Sequence, residues 1–481
     1  MSSNTLNDRT HVAHCSAIPP YILANIVNHP DAPETAKVHA RKALLLTQDY
    51  HQRRNEFIAQ QLIANQAGSL ITQDKVAAPK RLNRKIYSAS NTKILDHTLL
   101  RSESDAATSD VAENEAYDGF GSTFKFYSDI FDRNSINDNG MTLNGTVHFD
   151  QNYSNAYWDG AQMIFGDGDG VYFNRFTASL DVIGHELTHG VTQYTANLIY
   201  QDQSGALNES MSDVFGIMVK QYKLGETAAQ SDWLIGAELF TTKVKGKALR
   251  SMKDPGSAFD DPVLGKDEQV ATYSEVLAKP FAKDDDHGGV HIYSGVPNRA
   301  FYLVATNLGG YSWDRAGRIW WGVLTGGKLK HTANFHDFAQ LTCVQAEKLY
   351  GASVKEVVEK AWKDVGVEVD TQLKTVSGKW VGSQAGSHLE ITFDVSGETL
   401  TGSGLITLDG KTTAFNIING YYGTADKHLR FDAKYESTVA SNAKFIGTMS
   451  PDADAITGTW EKAAVPDNSA LYGLFNLTKA F

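Results

Sequence analysis

The chain is poor in cysteine, short of positive charge and free of long apolar runs. Among 481 residues there are two cysteines, Cys15 and Cys343, far apart in the sequence. Two thiols in a chain of this size cannot be the framework of a disulfide-stapled fold. No window holds about 18 uninterrupted apolar residues, so no membrane span is expected. The N-terminal stretch MSSNTLNDRTHVAHCSAIPPYIL has no apolar core behind a basic start, which is what a secretory signal peptide requires. The expectation is a precursor located in the cytoplasm, with export by another, non-classical route left open. Lys and Arg number 44 against 56 Asp and Glu, a net charge of -12. That balance argues against nucleic acid and anionic membrane surfaces as partners.

What is present divides into blocks. Apolar residues make up 42%, enough for a core, and the length predicts two or three domains. Residues 1–80 form an N-terminal block: a Pro19-Pro20 turn, a helical period from about Pro33 to Gln66, and a polar, basic linker, GSLITQDKVAAPKRLNRK. Residues 81–200 open with strand-like pieces and Gly/Asn/Asp turns, among them TLLRSE, STFKFYSDIF and NGTVHFD. Helical patterns dominate from Leu180 and through residues 201–372. From residue 375 to 481 the texture changes to about eight short strands joined by tight turns, the spacing of an up-and-down β-barrel. The fold class is therefore α+β: a mixed lobe, a helical lobe and a C-terminal all-β barrel.

The chemistry concentrates in His185-Glu186-Leu187-Thr188-His189, inside a helical pattern. Histidines at i and i+4 share one helix face and can bind a single Zn²⁺. Glu186 between them can act as general base on a water. HExxH alone also occurs on ordinary surface helices. Glu209 follows 209 − 185 = 24 residues after the first histidine and opens another helical pattern, with Asp213 four residues on. Glu209 can then ligate the metal while Asp213 orients a ligand histidine.

With these spacings the chain resembles the thermolysin family of zinc peptidases, the gluzincins. The likeness rests on GHELTHG and GALNESMSD, and on NAYWDG, GDGDG, NLIYQDQSGA, LRSMKDP, DHGGVHIYSG and CVQAEKLYG in family order. It implies a two-lobe neutral endopeptidase with the HELTH helix between its lobes. It implies His185, His189 and Glu209 as zinc ligands and Glu186 as general base. Tyr200 and His291 would stabilise the oxyanion, with Asp286 charging His291. Asp213 and Asn208 would hold the ligand histidines. Asn155 and the backbone of Ala156 would contact the substrate main chain, and Arg250 would grip a substrate carbonyl. Phe173, Val182 and Leu249 would line the pocket after the scissile bond, all apolar, so large apolar residues are expected there. A catalytically silent binding or inhibitory protein on the same scaffold, with a ligand-binding barrel, is the rival; the presence of Glu186, Tyr200 and His291 speaks against it.

Two departures carry expectations. Relatives usually hold structural calcium beside the active site. Asp181 and Asp232 match two of those positions, but Lys220, Leu234 and Ala237 replace other carboxylates, and Lys247 stands where a second loop wants an acid. Calcium needs six to eight oxygens, so the double site is expected to be absent, with Lys220 paired to Asp181 or Asp232 instead. At the N-terminus, Ile18-Pro19-Pro20-Tyr21-Ile22-Leu23 resembles the protealysin-like, short-propeptide branch. It implies a zymogen whose inhibitory segment, with Pro19, Pro20 and Tyr21 extended over the cleft, is removed by autocatalytic cleavage between about Gly68 and Lys85. Cys15, just upstream, is read as an ordinary small residue. The C-terminal block lies outside the peptidase likeness; SGKWVGS and ITGTWEK are loosely similar to G-x-W patterns of avidin- and lipocalin-type barrels. Its partner is left undetermined.

Overall fold

The structure is a computed structural model that describes residues 16–46, 80–280, 286–369, 376–396, 398–423, 427–436, 442–450, 455–462 and 471–480. Cys15 and most of the expected maturation stretch lie outside the described residues. The chain forms two compact units, 1–369 and 370–481.

In the first unit, Pro19 is extended (φ -57°, ψ 138°) and Pro20 begins α1 (Pro20–Asn28). Proline suits a first helical position because that N–H has no intrahelical partner to lose. The extended path expected across both prolines and Tyr21 therefore ends at Pro19. Ile22, Leu23 and Ile26 are buried along one face of α1. A second helix, α2, is described over residues 34–46.

A five-stranded sheet follows, β1 (Arg84–Ser88), β2 (Thr98–Ser102), β3 (Leu143–Val147), β4 (Ala156–Trp158) and β5 (Met163–Phe165), in the order β2-β1-β3-β5-β4. The β1–β3 and β3–β5 pairs are parallel, and β2 and β4 run antiparallel at the two edges. Helix α3 (Val111–Phe131) starts where the Asp110 side chain accepts the Glu113 N–H at 3.1 Å. STFKFYSDIF, read as strand-like, lies inside α3. Its aromatic alternation is too short to decide between periods. Over the whole helix the buried positions Ala116, Phe120, Thr123 and Tyr127 recur every three or four residues.

Helices α4 (Leu180–Gln193) and α5 (Asp202–Leu224) cross at Gly184 and Gly216. A Cβ on Gly216 would stand 2.5 Å from the Asp181 carbonyl oxygen and 3.0 Å from the His185 nitrogen. Only glycine permits this approach, which brings the histidines of α4 against the carboxylates of α5. Short paired strands β6 (Leu234–Ile235) and β7 (Arg250–Ser251), then β8 (Asp260–Asp261) and β9 (Gly265–Lys266), lead to helices α6 (Tyr273–Ala278) through α11 (Ala352–Asp364). Of these, α7 (Asp286–Tyr293) opens on left-handed residues, with φ between 47° and 83° from Asp286 to Gly289.

The second unit is the expected barrel. Strands β10 (Gly378–Gln384) to β17 (Leu471–Lys479) pair antiparallel with their sequence neighbours, and β17 closes onto β10 through Trp380↔Lys479 and Gln384↔Phe475. Aromatic rings fill its interior: Phe431 stacks on Phe445 at 4.8 Å, and Phe445 meets Phe475 at 5.3 Å.

Candidate active site

The α4–α5 crossing sets the geometry. One ligand atom each from His185, His189 and Glu209 lies within 4.8 Å of the others, all buried, and this is the group among the described residues that could hold a metal ion. His185 Nδ1 donates to Asp213 at 2.7 Å. His189 Nδ1 faces Asn208 Oδ1 at 2.8 Å, and Asn208 Nδ2 donates to the Leu198 carbonyl, which fixes the amide so that its oxygen accepts. In the neutral imidazoles both Nε2 lone pairs therefore point inward, 3.0 Å apart. Glu209 Oε2 joins them, buried and without a hydrogen bond, 3.5 Å from His185 Nε2. Converging lone pairs and a buried carboxylate are favourable only around a cation. Burial opposes a positive charge on His185, yet Asp213 and Glu209 outweigh it and raise its pKa, so the local field favours a cation. The donor set fits zinc.

Around this centre stand the other expected residues. Glu186 Oε2 accepts the Trp158 N–H from β4 at 3.1 Å, which orients the carboxylate. Tyr200 Oη donates to Glu209 and lies 3.3 Å from His291 Nε2. Asp286 holds His291 twice, at Nδ1 (2.5 Å) and at the backbone N–H (3.0 Å). Burial disfavours the His291 imidazolium, but Asp286 and Glu209 prevail and raise its pKa to about 9. Arg250 donates to both oxygens of Asp213, at 2.8 and 2.7 Å. Burial raises the Asp213 pKa, but Arg250 and His185 bring it down to about 2.

A third set of residues comes from the N-terminal block. Ala17 N–H donates to Ala156 O on the free edge of β4 at 3.1 Å. Ile18 N–H donates to Asn155 Oδ1 at 3.0 Å, and Arg250 Nη1 donates to Ala17 O at 3.2 Å. His291 Nε2 faces Ser16 O at 3.1 Å. Asn155, Ala156, Arg250 and His291 thus all grip backbone, and the backbone is the chain's own.

Comparison with known proteins decides the family. The family model for the thermolysin metallopeptidase catalytic domain matches residues 48–193, and that for its α-helical domain matches residues 196–367. An extracellular metalloprotease of Pectobacterium carotovorum is 46% identical over 359 residues, 74% of this chain and 97% of that protein. This chain belongs to the thermolysin family of metallopeptidases. Protease PrtS of Photorhabdus is 43% identical over 74% of this chain and 93% of its own length. The solved precursor of protealysin from Serratia proteamaculans aligns with a TM-score of 0.64 and 43% identity, over 73% of this chain and 99% of that one.

Within this thermolysin-family site, some features were not foreseen from sequence. Asn298 on α8 (Gly295–Leu308) donates to Asp213 Oδ2 at 2.8 Å, a fourth bond to that carboxylate. Ser212 Oγ lies 2.9 Å from His189 Nδ1. The backbone contacts at the cleft come from Ser16, Ala17 and Ile18, ahead of the proline pair; Tyr21 Oη instead accepts the Glu268 N–H at 3.3 Å. Phe173, Val182 and Leu249 are each at most 1% exposed. One turn of α4 before His185, the Lys220 ammonium sits 3.1 Å from Asp181 and 3.6 Å from Asp232. Burial opposes that ammonium's charge, but Asp181, Glu238 and Asp232 raise its pKa. Glu238 was not among the expected members.

Proposed function

We propose that this metallopeptidase is an endopeptidase that cuts before large apolar residues, and that it is made as a self-inhibited precursor. The observation that carries the inhibition is the pairing of Ser16, Ala17 and Ile18 with His291, Ala156, Arg250 and Asn155. A substrate needs the same partners, so the two compete. The apolar set Phe173, Val182 and Leu249 supports the specificity.

Each residue has a definable task. Zinc held by His185, His189 and Glu209 would supply Lewis acidity to the scissile carbonyl and its water. Glu186, oriented by the Trp158 N–H, takes the water's proton and returns it to the leaving nitrogen. Tyr200 and the His291 imidazolium donate to the developing oxyanion. Asp286 keeps His291 charged, and Arg250, braced on Asp213, holds the carbonyl of the next residue.

Purified Glu186→Gln chain should retain one zinc per molecule, stay full length, and hydrolyse a Leu-containing peptide at least about 10²-fold more slowly. Wild-type chain should gain activity as the block before about residue 85 is lost. Cleavage mapping on casein should place cuts before Leu, Ile and Phe. Full activity in uncleaved wild type would defeat the inhibitory reading, and cuts before small or charged residues would defeat the specificity.

A further inference from the structure

The N-terminal segment lies against the site through consecutive backbone groups of Ser16, Ala17 and Ile18. His291, one of the two oxyanion donors, holds the Ser16 carbonyl oxygen at 3.1 Å. The next N–H, of Ala17, donates to Ala156 O, the next carbonyl accepts from Arg250, and the next N–H, of Ile18, donates to Asn155. A carbonyl at the oxyanion donors is the one open to attack. The peptide bond in the cleavage position is therefore Ser16–Ala17. The direction and register are those of the bonds themselves: Ser16 O on His291, Ala17 N–H on Ala156, Ala17 O on Arg250 and Ile18 N–H on Asn155.

The residue after that bond is alanine. In this register its methyl is the only side-chain group it would offer to a pocket assigned to Phe173, Val182 and Leu249. Residue volume in such a pocket is worth about 10–200-fold in rate per methylene. An alanine there makes a bond that is held in place and cut reluctantly.

We propose that Ser16–Ala17 is this chain's own slow substrate, cleaved within the same molecule, and that the size of residue 17 sets the rate. The proposal rests on the reading of the chain as a self-inhibited endopeptidase. In the step, a water oxygen bonds to the Ser16 carbonyl carbon and Glu186 accepts a water proton. That proton passes to the Ala17 nitrogen as the C–N bond breaks. The second water proton leaves the new carboxyl group for the amine, so residues 1–16 leave with a carboxylate on Ser16, Ala17 gains an α-ammonium group, and one water is consumed. The remainder stays anchored, with Asn25 donating to Leu264 O at 2.8 Å and Lys42 paired to Asp150 at 2.6 Å. This cut trims the segment without expelling it, and is distinct from removal of the whole block.

The test follows intact mass in purified full-length chain at two concentrations about tenfold apart. A species beginning at Ala17 should form with the same rate constant at both. Ala17→Leu should raise that constant about tenfold or more, Ala17→Gly should lower it, and Glu186→Gln should abolish it. Hydrogen exchange in Glu186→Gln chain gives a second reading: residues 17 and 18 should be protected, and should remain so with Ala17→Leu added. If Ala17→Leu loses that protection, wild type and Ala17→Gly decide by the same mass measurement. Processing only beyond residue 46, with Ser16–Ala17 intact throughout, overturns the proposal and leaves self-inhibition standing. Free exchange at residues 17 and 18 overturns the register itself. Unchanged processing in Glu186→Gln chain overturns both the proposal and the reading beneath it.

Discussion

Two acidic clusters stand one turn apart along α4, and they are balanced in opposite ways. In the first, His185, His189 and Glu209 turn two Nε2 atoms and a carboxylate oxygen toward a common point. In the second, one turn earlier, Asp181 meets Lys220 of α5 at 3.1 Å, with Asp232 at 3.6 Å from the same ammonium. The first cluster needs a cation from outside. The second has one covalently attached. Buried carboxylates demand compensation in either case. What differs is whether that compensation is exchangeable, and catalysis needs a cation with an open position that a lysine cannot offer.

Stripping the first cluster of its cation should give the largest effect. Zinc removal should abolish peptide hydrolysis and lower thermal stability together, because a bound ion stabilises by about 4 kcal/mol when free metal exceeds its Kd a thousandfold. Zinc added back should restore both. A metal-free chain that melts at the same temperature as the zinc-loaded chain would show that the convergent lone pairs are relieved without any ion, and the contrast between the clusters would fail.

Stripping the second cluster means removing a side chain. Lys220→Met leaves Asp181, 0% exposed, with hydrogen bonds from Ser179 and Gly236 but no cation. The cost should be about 3 kcal/mol of unfolding free energy, the usual scale for orphaning one member of a buried ion pair. Since the hydrogen bonds and ion pairs of Asp181 and Lys220 reach none of His185, His189 and Glu209, zinc content and cleavage of a short peptide should be nearly unchanged. Loss of zinc from this variant, in equilibrium dialysis, would show that the clusters are coupled through the helix.

How much of this was legible in the sequence follows from the range of each interaction. The HELTH pair is local: two histidines one helical turn apart share a face wherever the helix goes. Glu209 and Asp213 were legible because family-like spacing tied one helix to the next. The barrel was legible because each strand pairs with its sequence neighbour, so hairpin turns and alternation carry the topology. Three things were hidden. The segment 16–18 meets Asn155, Arg250 and His291 across well over a hundred residues, through backbone groups that every residue possesses. Asn298 and Glu238 enter the site only through tertiary packing, with no spacing to announce them. STFKFYSDIF was misread because β-branched and aromatic residues alternate for a few positions within a longer helical period.

The smallest expected effect concerns calcium, and it tests the second cluster in its native state. Calcium requires six to eight oxygen ligands carrying enough negative charge. Here the ammonium of Lys220 stands between Asp181 and Asp232 and also lies 3.5 Å from the Leu234 carbonyl oxygen. One Asp181 oxygen is further engaged by Ser179 and by the Gly236 N–H. An entering dication would have to displace the lysine against the attraction of three acids, then find several more oxygens. Removing calcium while free zinc is clamped should therefore leave the melting temperature of the wild-type chain unchanged within error. The same titration on Lys220→Met chain sharpens the comparison. Asp181, Asp232 and Glu238 are then left without a cation, so millimolar calcium should recover part of the lost stability. A large drop in wild-type melting temperature on calcium removal, reversed by adding it back, would mean that a calcium site exists elsewhere in the chain or that Lys220 yields to the ion. A calcium response equal in wild type and Lys220→Met would place that site away from the lysine. A response confined to the variant would confirm that the lysine itself does the work of the ion.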